Sequence, residues 1–110
     1  MTPACSVIVP AYNSAATIEN CLASLLQQDA APVEIVVVDS GVDATAAIVR
    51  EHARPVRLIH LDQPLGPAEA RNLGVKEAAG RIVAFLDSDC VAPRHWLARL
   101  SQAIDRGYAG

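Results

Sequence analysis

The chain has 110 residues, enough for one domain and short for two. Apolar side chains make up 52% of it, a share that excludes disorder over most of its length. Nine basic residues against twelve acidic ones give a net charge of −3, and the basic residues are scattered, which excludes nucleic-acid binding through bulk positive charge.

Four short β-rich runs alternate with four helical patterns along the chain. The second and fourth runs are almost entirely apolar, which is typical of strands covered on both faces of a parallel sheet. In chain order, the patterns predict a strand over 6–9, a helix capped by Ser14, a strand over 33–38, a short helix capped by Asp43, a strand over 56–61, a helix from Gly66-Pro67 to Gly80, a strand over 81–86 and a helix from Pro93 to Gly107.

This alternation predicts an α/β fold, a Rossmann-like doubly wound and mainly parallel sheet with helices on both faces. The third predicted helix carries a narrow face of small residues, including Gly74, that favours close packing on the sheet. In such sheets, ligands bind beyond the carboxyl ends of the strands. Polar segments follow the first, second and fourth strands and predict one shared crevice: Tyr12-Asn13, 39–41 and 87–89.

Three cysteines without C-x-x-C spacing argue against a disulfide scaffold or a zinc finger and indicate buried, reduced thiols. The first residues lack the basic region of a signal peptide, and every apolar run is far shorter than the roughly 18 residues needed to cross a bilayer. We expect a cytoplasmic protein, or one on the cytoplasmic face of a membrane if the chain is part of a longer one.

Four charged residues are candidates for binding a metal ion or a ligand. Asp87 and Asp89 can share a hard divalent cation, or one can cap a turn while the other is solvated. Asp39 can accept hydrogen bonds from a base or ribose, or cap the turn before Asp43. Arg71 can meet a diphosphate, although its spacing favours a solvated pair with Glu69 or Glu77.

Other candidate residues are interpreted as structural. We assign packing or surface roles to the three histidines, and packing roles to Cys90 and Trp96. No G-x-G-x-x-G follows the first strand and no G-x-x-x-x-G-K-[ST] is present, so the dinucleotide fingerprint and the P-loop are excluded.

Three segments together resemble family 2 glycosyltransferases, the nucleotide-sugar enzymes of the GT-A fold. They are SVIVPAYNSAATIENCLASLLQQ, VEIVVVDSG and GPAEARNLGVKEAAGRIVAFLDSDC, and the likeness runs from Ser6 to about Ile104. The resemblance implies an enzyme that binds a nucleoside-diphosphate sugar, with UDP as the expected nucleotide, and that uses Mg²⁺ or Mn²⁺. It also implies transfer of the sugar, with inversion, to a hydroxyl of an unknown acceptor.

The same resemblance implies roles for eight residues. Asp89 is the direct metal ligand, and Asp87 lies nearer the ribose or the metal shell. Asp39 binds the base, and Arg71 lies near the donor. The turn that lines the nucleoside pocket is Pro10, Ala11, Tyr12 and Asn13.

The chain departs from the family pattern in three places. Ser40 and Cys90 stand where the family often has Asp, and the turn before Asp43 is one residue shorter. These differences concern the fine contacts to base and metal and leave the class unchanged.

The catalytic domain of the family is roughly twice as long, above the usual size of a single small domain. We therefore interpret residues 1–110 as one nucleotide-sugar-binding domain, the N-terminal half of a longer glycosyltransferase domain, without the catalytic base. An exposed sheet edge would favour self-association. Three alternatives stay open: a non-catalytic remnant of such a domain, a receiver-like regulatory module and a nucleotidyltransferase.

Overall fold

Four strands alternate with four helices in the computed structural model, which describes residues 5–105. The predicted strands are confirmed to within two residues, and the predicted helix end at Gly107 lies outside the described residues. The elements are β1 (Cys5–Ala11), α1 (Ile18–Leu26), β2 (Glu34–Asp39), α2 (Thr45–Arg50), β3 (Val56–His60), α3 (Pro67–Glu77), β4 (Ile82–Phe85) and α4 (Trp96–Asp105).

The strands form one parallel sheet in the order β3-β2-β1-β4. In the register, Ala11 lies opposite Asp39, and Asp39 lies opposite His60. All strands therefore end at the same edge of the sheet, and the polar segments that follow β1, β2 and β4 share that edge. The predicted parallel sheet is confirmed.

Helices cover both faces of the sheet, as predicted. Ile18, Leu22 and Leu97 belong to the core of one face, which α1, α2 and α4 cover together. Ile8 and Ala70 belong to the core of the other face, which α3 covers. Strands β2 and β3 are added on one side of β1, and after β3 the chain passes over the face covered by α3 so that β4 pairs with the other side of β1. The direction in which strands are added to the sheet therefore reverses between β1 and β4. Ligands of doubly wound sheets bind at such a switch point.

Two helices start later than predicted. Helix α1 begins at Ile18 after Thr17, because the Ser14 hydroxyl is hydrogen bonded to Ser88 instead of capping the helix. Helix α4 begins at Trp96, and Pro93 belongs to the turn before it, where its carbonyl accepts the Trp96 amide at 3.0 Å.

Helix α3 ends at Glu77, three residues before the predicted stop at Gly80. Two strand side chains accept the backbone amides that would extend it. The Glu34 carboxylate accepts the Ala79 amide at 2.5 Å, and the Ser6 hydroxyl accepts the Gly80 amide at 2.8 Å. Tertiary contacts with the sheet therefore set this helix end.

The small-residue face of α3 lies on the sheet at Gly74, where a Cβ atom would come 2.3 Å from Ile8 Cγ2. Ile8 is fully buried in the central strand and has little room to move. Within residues 5–105, no helix is both long enough and apolar enough to span a bilayer.

We expect Gly74→Ala to lower the free energy of unfolding by about 1–3 kcal/mol, because α3 must move away from Ile8 to admit the methyl group. The matched control is Asn72→Ala, at an exposed position on the same helix. Urea unfolding of both variants measures the difference. A Gly74→Ala chain at least as stable as the Asn72→Ala chain would contradict the close packing.

Candidate functional site

A cavity of about 530 Å³ opens at the carboxyl ends of β1 and β4, at the switch point of the sheet. The loop after β1, Ser40 after β2, the start of α3 and the turn after β4 form its walls. Seven of the eight residues singled out in the sequence line it: Pro10, Ala11, Tyr12, Asn13, Arg71, Asp87 and Asp89.

Tyr12 offers an aromatic ring at the cavity, with 55% of the residue exposed. Its backbone amide donates to the Ser14 hydroxyl at 3.3 Å, which fixes the backbone beneath the ring. An exposed aromatic ring on an anchored backbone is a surface on which a nucleoside base can stack.

Asn13 ties the β1–α1 loop to the β2–α2 loop. It has a φ of 50°, in the left-handed region that Asn tolerates better than most residues. Its Oδ1 atom accepts the amides of Val42 at 2.8 Å and Asp43 at 3.3 Å. The side chain predicted to line the nucleoside pocket thus also fixes the geometry of the pocket wall.

Gly41 allows the close approach of these two loops. A Cβ atom there would lie 2.4 Å from the backbone nitrogen of Asn13 and 2.5 Å from its Oδ1. A backbone atom cannot turn aside as a flexible side chain can. The packing at this point therefore requires glycine at position 41.

We expect Gly41→Ala to push the Asn13 loop away, to lower the free energy of unfolding by about 1–3 kcal/mol and to weaken nucleotide binding. Val42→Ala, at a neighbouring residue that is 87% exposed, is the control and should change neither property. Thermal unfolding and a nucleotide titration of both variants check this. Unchanged nucleotide affinity in a folded Gly41→Ala chain would show that the loop contact does not shape the cavity.

Asp39 lies at the same edge of the sheet but does not line the cavity. Its carboxylate is fully buried, with Oδ2 accepting from His60 Nδ1 at 2.9 Å and Oδ1 accepting from the Gly41 amide at 3.3 Å. The adjacent Ser40 lines the cavity instead. Contact between Asp39 and a base stays a prediction, and the pairing with His60 is a feature that the spacing of residues did not indicate.

Asp87 and Asp89 come directly after β4 and are both exposed. Together with Cys90 they form a group whose potential ligand atoms lie within 4.8 Å of one another. Carboxylate oxygens at this separation suit Mg²⁺ and Mn²⁺, which prefer hard oxygen ligands and leave positions for water and phosphate. The donor atoms present therefore fit the implied cation.

Arg71 pairs with Asp87, its Nη2 lying 3.4 Å from Asp87 Oδ1. The structural pairing expected for Arg71, with Glu69 or Glu77, is wrong. Glu69 accepts the Gly66 amide at the start of α3, and Glu77 lies 3.9 Å from Arg57. A guanidinium therefore stands beside the acidic pair at the cavity, where it can also meet the charge of a diphosphate.

Cys90 is exposed, which corrects the packing role expected for it. Its thiol donates a hydrogen bond to Asp89 Oδ1 at 3.5 Å. The pKa of Cys90 is raised by desolvation, and also by that hydrogen bond and the charge of Asp89. Cys5 and Cys21 are buried free thiols, as predicted. Burial raises the pKa of Cys21 to about 12.

Asp43 anchors the start of α2, but the N-cap position is Ala44, one residue after the predicted cap. Its Oδ1 accepts the Thr45 hydroxyl at 2.6 Å and the Thr45 amide at 3.0 Å. The hydrogen bond from that hydroxyl lowers the pKa of Asp43. Thr45 in turn accepts the Ser14 amide, so this anchor reaches the loop that lines the cavity.

Known proteins resemble this chain in sequence and in fold. The family model described as Glycosyl transferase family 2 matches residues 6–110. Succinoglycan biosynthesis protein ExoO of Rhizobium meliloti is 45% identical over 105 residues, covering 94% of this chain and 30% of that protein. Glycosyltransferase AglE of Haloferax volcanii is 37% identical over 103 residues, covering 88% of this chain and 34% of that protein. The chain spans about a third of the length of these relatives.

Solved structures show the same likeness. S. aureus TarS 1–349 in complex with UDP-GlcNAc matches with a TM-score of 0.84 and 36% identity, over 94% of this chain and 31% of that chain. Mannosyltransferase PcManGT from Pyrobaculum calidifontis, in complex with GDP-Man and Mn²⁺, matches with a TM-score of 0.80 and 35% identity, over 94% of this chain and 32% of that chain.

Proposed function

The chain belongs to glycosyl transferase family 2 and has the GT-A type of fold, and from this premise we propose that it binds a nucleoside-diphosphate sugar together with a divalent cation. The whole protein would transfer that sugar, with inversion, to an acceptor hydroxyl. Membership of the family removes the receiver-like and nucleotidyltransferase alternatives. A non-catalytic remnant is the alternative that an experiment must separate.

The observation that carries this proposal is the placement of opposite charges at one cavity. Asp87 and Asp89 would repel the negative charge of a diphosphate, and the repulsion is strongest where water is partly excluded. A divalent cation reverses the sign of this interaction by joining carboxylate and phosphate oxygens. Arg71 adds a positive charge next to Asp87. The cavity is therefore better suited to a diphosphate in the presence of a cation than in its absence.

The nucleotide part of the donor fits the other wall of the cavity. The exposed ring of Tyr12 offers a stacking surface, and Pro10 and Ala11 add apolar contacts. The similar solved structures hold UDP-GlcNAc and GDP-Man, which supports the nucleoside-diphosphate sugar class. We take UDP as the first nucleotide to test. The Asp39 carboxylate can accept more hydrogen bonds than the two it has, but it is fully buried, so contact with the base requires a local rearrangement that exposes it.

Asp89 and Asp87 are the residues that would hold Mg²⁺ or Mn²⁺, with Asp89 as the direct ligand. The bound cation would supply charge neutralisation for the diphosphate leaving group. The chain's own side chains would orient the donor, with Arg71 at the phosphates and Tyr12 at the base. That residues 1–110 are the N-terminal half of a longer domain, and that the protein is cytoplasmic, stay predictions.

Isothermal titration calorimetry with UDP tests the proposal. We expect UDP to bind at least tenfold more tightly in the presence of Mn²⁺ than with EDTA, and to compete with a UDP-sugar. Equal affinity under both conditions would contradict metal-coupled binding. No binding under either condition would favour the non-catalytic remnant.

The outer edge of β4 gives a further prediction, which is self-association with a second copy of the chain. Within residues 5–105, no strand pairs with this edge, and Phe85 there is 42% exposed beside Trp96 and Leu100. Unpaired edges with apolar side chains favour pairing between chains. We expect a mass above 11.6 kDa by analytical ultracentrifugation and a shift towards monomer in Phe85→Lys. A monomer at all concentrations would contradict this.

A further inference from the structure

A line of hydrogen bonds connects the three loops that meet at the cavity. Asp43 Oδ1 accepts the Thr45 hydroxyl at 2.6 Å, and Thr45 Oγ1 accepts the Ser14 amide at 2.9 Å. The hydroxyls of Ser14 and Ser88 are then hydrogen bonded to each other at 2.7 Å. These contacts join residues that lie 31 and 74 positions apart in the chain.

Ser14 is the central member of this line. It is 8% exposed, and its hydroxyl also accepts the Tyr12 amide at 3.3 Å. Its amide therefore contacts the first residue of α2, and its hydroxyl contacts the loops after β1 and β4. This arrangement explains why Ser14 does not cap α1, although its residue type and position favour that role.

The turn from Asp87 to Cys90 has few other supports. The Cys90 amide donates to the Asp87 carbonyl at 2.9 Å, which closes the turn. The side chains of Asp87 and Asp89 are exposed and make only long contacts, at 3.4 Å to Arg71 and 3.5 Å to Cys90. Among the described residues, Ser14 is the one hydrogen-bond partner of the Ser88 side chain.

We propose that Ser14 is a positioning residue for metal and nucleotide binding: through Ser88 it holds the Asp87–Asp89 turn at a fixed distance from Tyr12. This inference rests on the proposed function and deepens it. Two carboxylates close together repel each other, so the turn needs an external support to keep both oxygens directed at one cation. A site held in its binding geometry before the ligand arrives loses less free energy on binding.

The test compares Ser14→Ala, Ser88→Ala and the double variant with the unsubstituted 110-residue chain. The matched control is Ser24→Ala. Ser24 also supports the segment after β4, because its hydroxyl accepts the Ala92 amide at 3.0 Å, but it does not line the cavity. Calorimetry with UDP, with Mn²⁺ and with EDTA, gives the factor by which Mn²⁺ tightens binding for each chain.

We expect this factor to fall about fivefold to tenfold in Ser14→Ala and by a similar amount in Ser88→Ala. The double variant should lose no more than Ser14→Ala alone, because Ser14→Ala already breaks the hydrogen bond to Ser88. Ser24→Ala should keep the factor of the unsubstituted chain. An unchanged factor in Ser14→Ala, an equal loss in Ser24→Ala, or additive losses in the double variant would each overturn the inference.

A ligand-free measurement separates the inference from the proposed function. Hydrogen exchange of the Cys90 amide reports on closure of the turn, and exchange of the Leu86 amide, which donates to Ile8 at 3.1 Å, is the internal reference. We expect faster exchange at Cys90 in Ser14→Ala and not in Ser24→Ala. Unchanged Cys90 exchange contradicts the inference. Absence of Mn²⁺-coupled UDP binding in the unsubstituted chain contradicts the proposed function instead.

Discussion

Asp89→Asn should reduce the Mn²⁺-dependent gain in UDP affinity by at least about 10- to 100-fold, because the loss of an outer-shell partner of a bound metal already costs that much. The substitution keeps the size of the side chain and removes one negative charge. Binding measured in EDTA should stay the same or become slightly tighter, because one source of repulsion against the diphosphate is gone.

The matched control for this prediction is Glu51→Gln, which removes the same charge at an exposed residue that follows α2 and does not line the cavity. Calorimetry of both variants with Mn²⁺ and with EDTA makes the comparison. If Asp89→Asn and Glu51→Gln bind UDP equally well in Mn²⁺, the metal is not held by the acidic pair. If Asp89→Asn loses affinity equally under both conditions, Asp89 acts through the fold of the turn.

The 110-residue chain should bind the donor and yet fail to transfer its sugar. Inverting transfer needs a general base within hydrogen-bond reach of the acceptor hydroxyl, and such a base contributes about 10²- to 10⁴-fold to the rate. Among the described residues, the carboxylates that line the cavity are Asp87 and Asp89, and both are assigned to the metal and the donor. Glu69, at the start of α3, is held by the Gly66 amide.

This prediction is measured as release of UDP from UDP-sugars, with Mn²⁺ and a panel of hydroxyl acceptors. Release should match that of a sample without protein, while calorimetry on the same preparation shows UDP binding. Transfer at about 1 s⁻¹ or faster, within the ordinary range of enzymes, would prove that a base is present in these residues. The binding measurement separates a missing base from a chain that has not folded.

Much of the fold follows from local features of the sequence. The apolar runs after residue 33 and residue 81 are long enough for buried strands and too short for helices, and their alternation with helical patterns requires crossovers and a parallel sheet. The shared edge follows from that topology, because parallel strands all end at the same side. For this reason the sequence alone assigns Tyr12 and Asp89 to one cavity.

The remaining contacts depend on the register and on distant side chains. Asp39 is paired with His60 because the two lie opposite each other in the sheet, and spacing along the chain does not define this register. Arg71 and Glu69 are two positions apart on a helix and do not face each other. Arg71 instead pairs with Asp87 in the turn after β4. The sequence predicts Ser14 as a cap from its residue type and position, and no local pattern indicates its actual partner, Ser88, which lies 74 positions away.

The most direct test of the central claim, that UDP and a divalent cation meet at the Asp87–Asp89 turn, is paramagnetic broadening of backbone amide signals by Mn²⁺ in the UDP-saturated chain. The account predicts broadening centred on residues 87–89 and 10–14. It predicts a weaker effect at the separate cavity lined by Arg50, His60 and Asp62. Broadening centred on that second cavity, or spread over the exposed acidic residues without dependence on UDP, would contradict it.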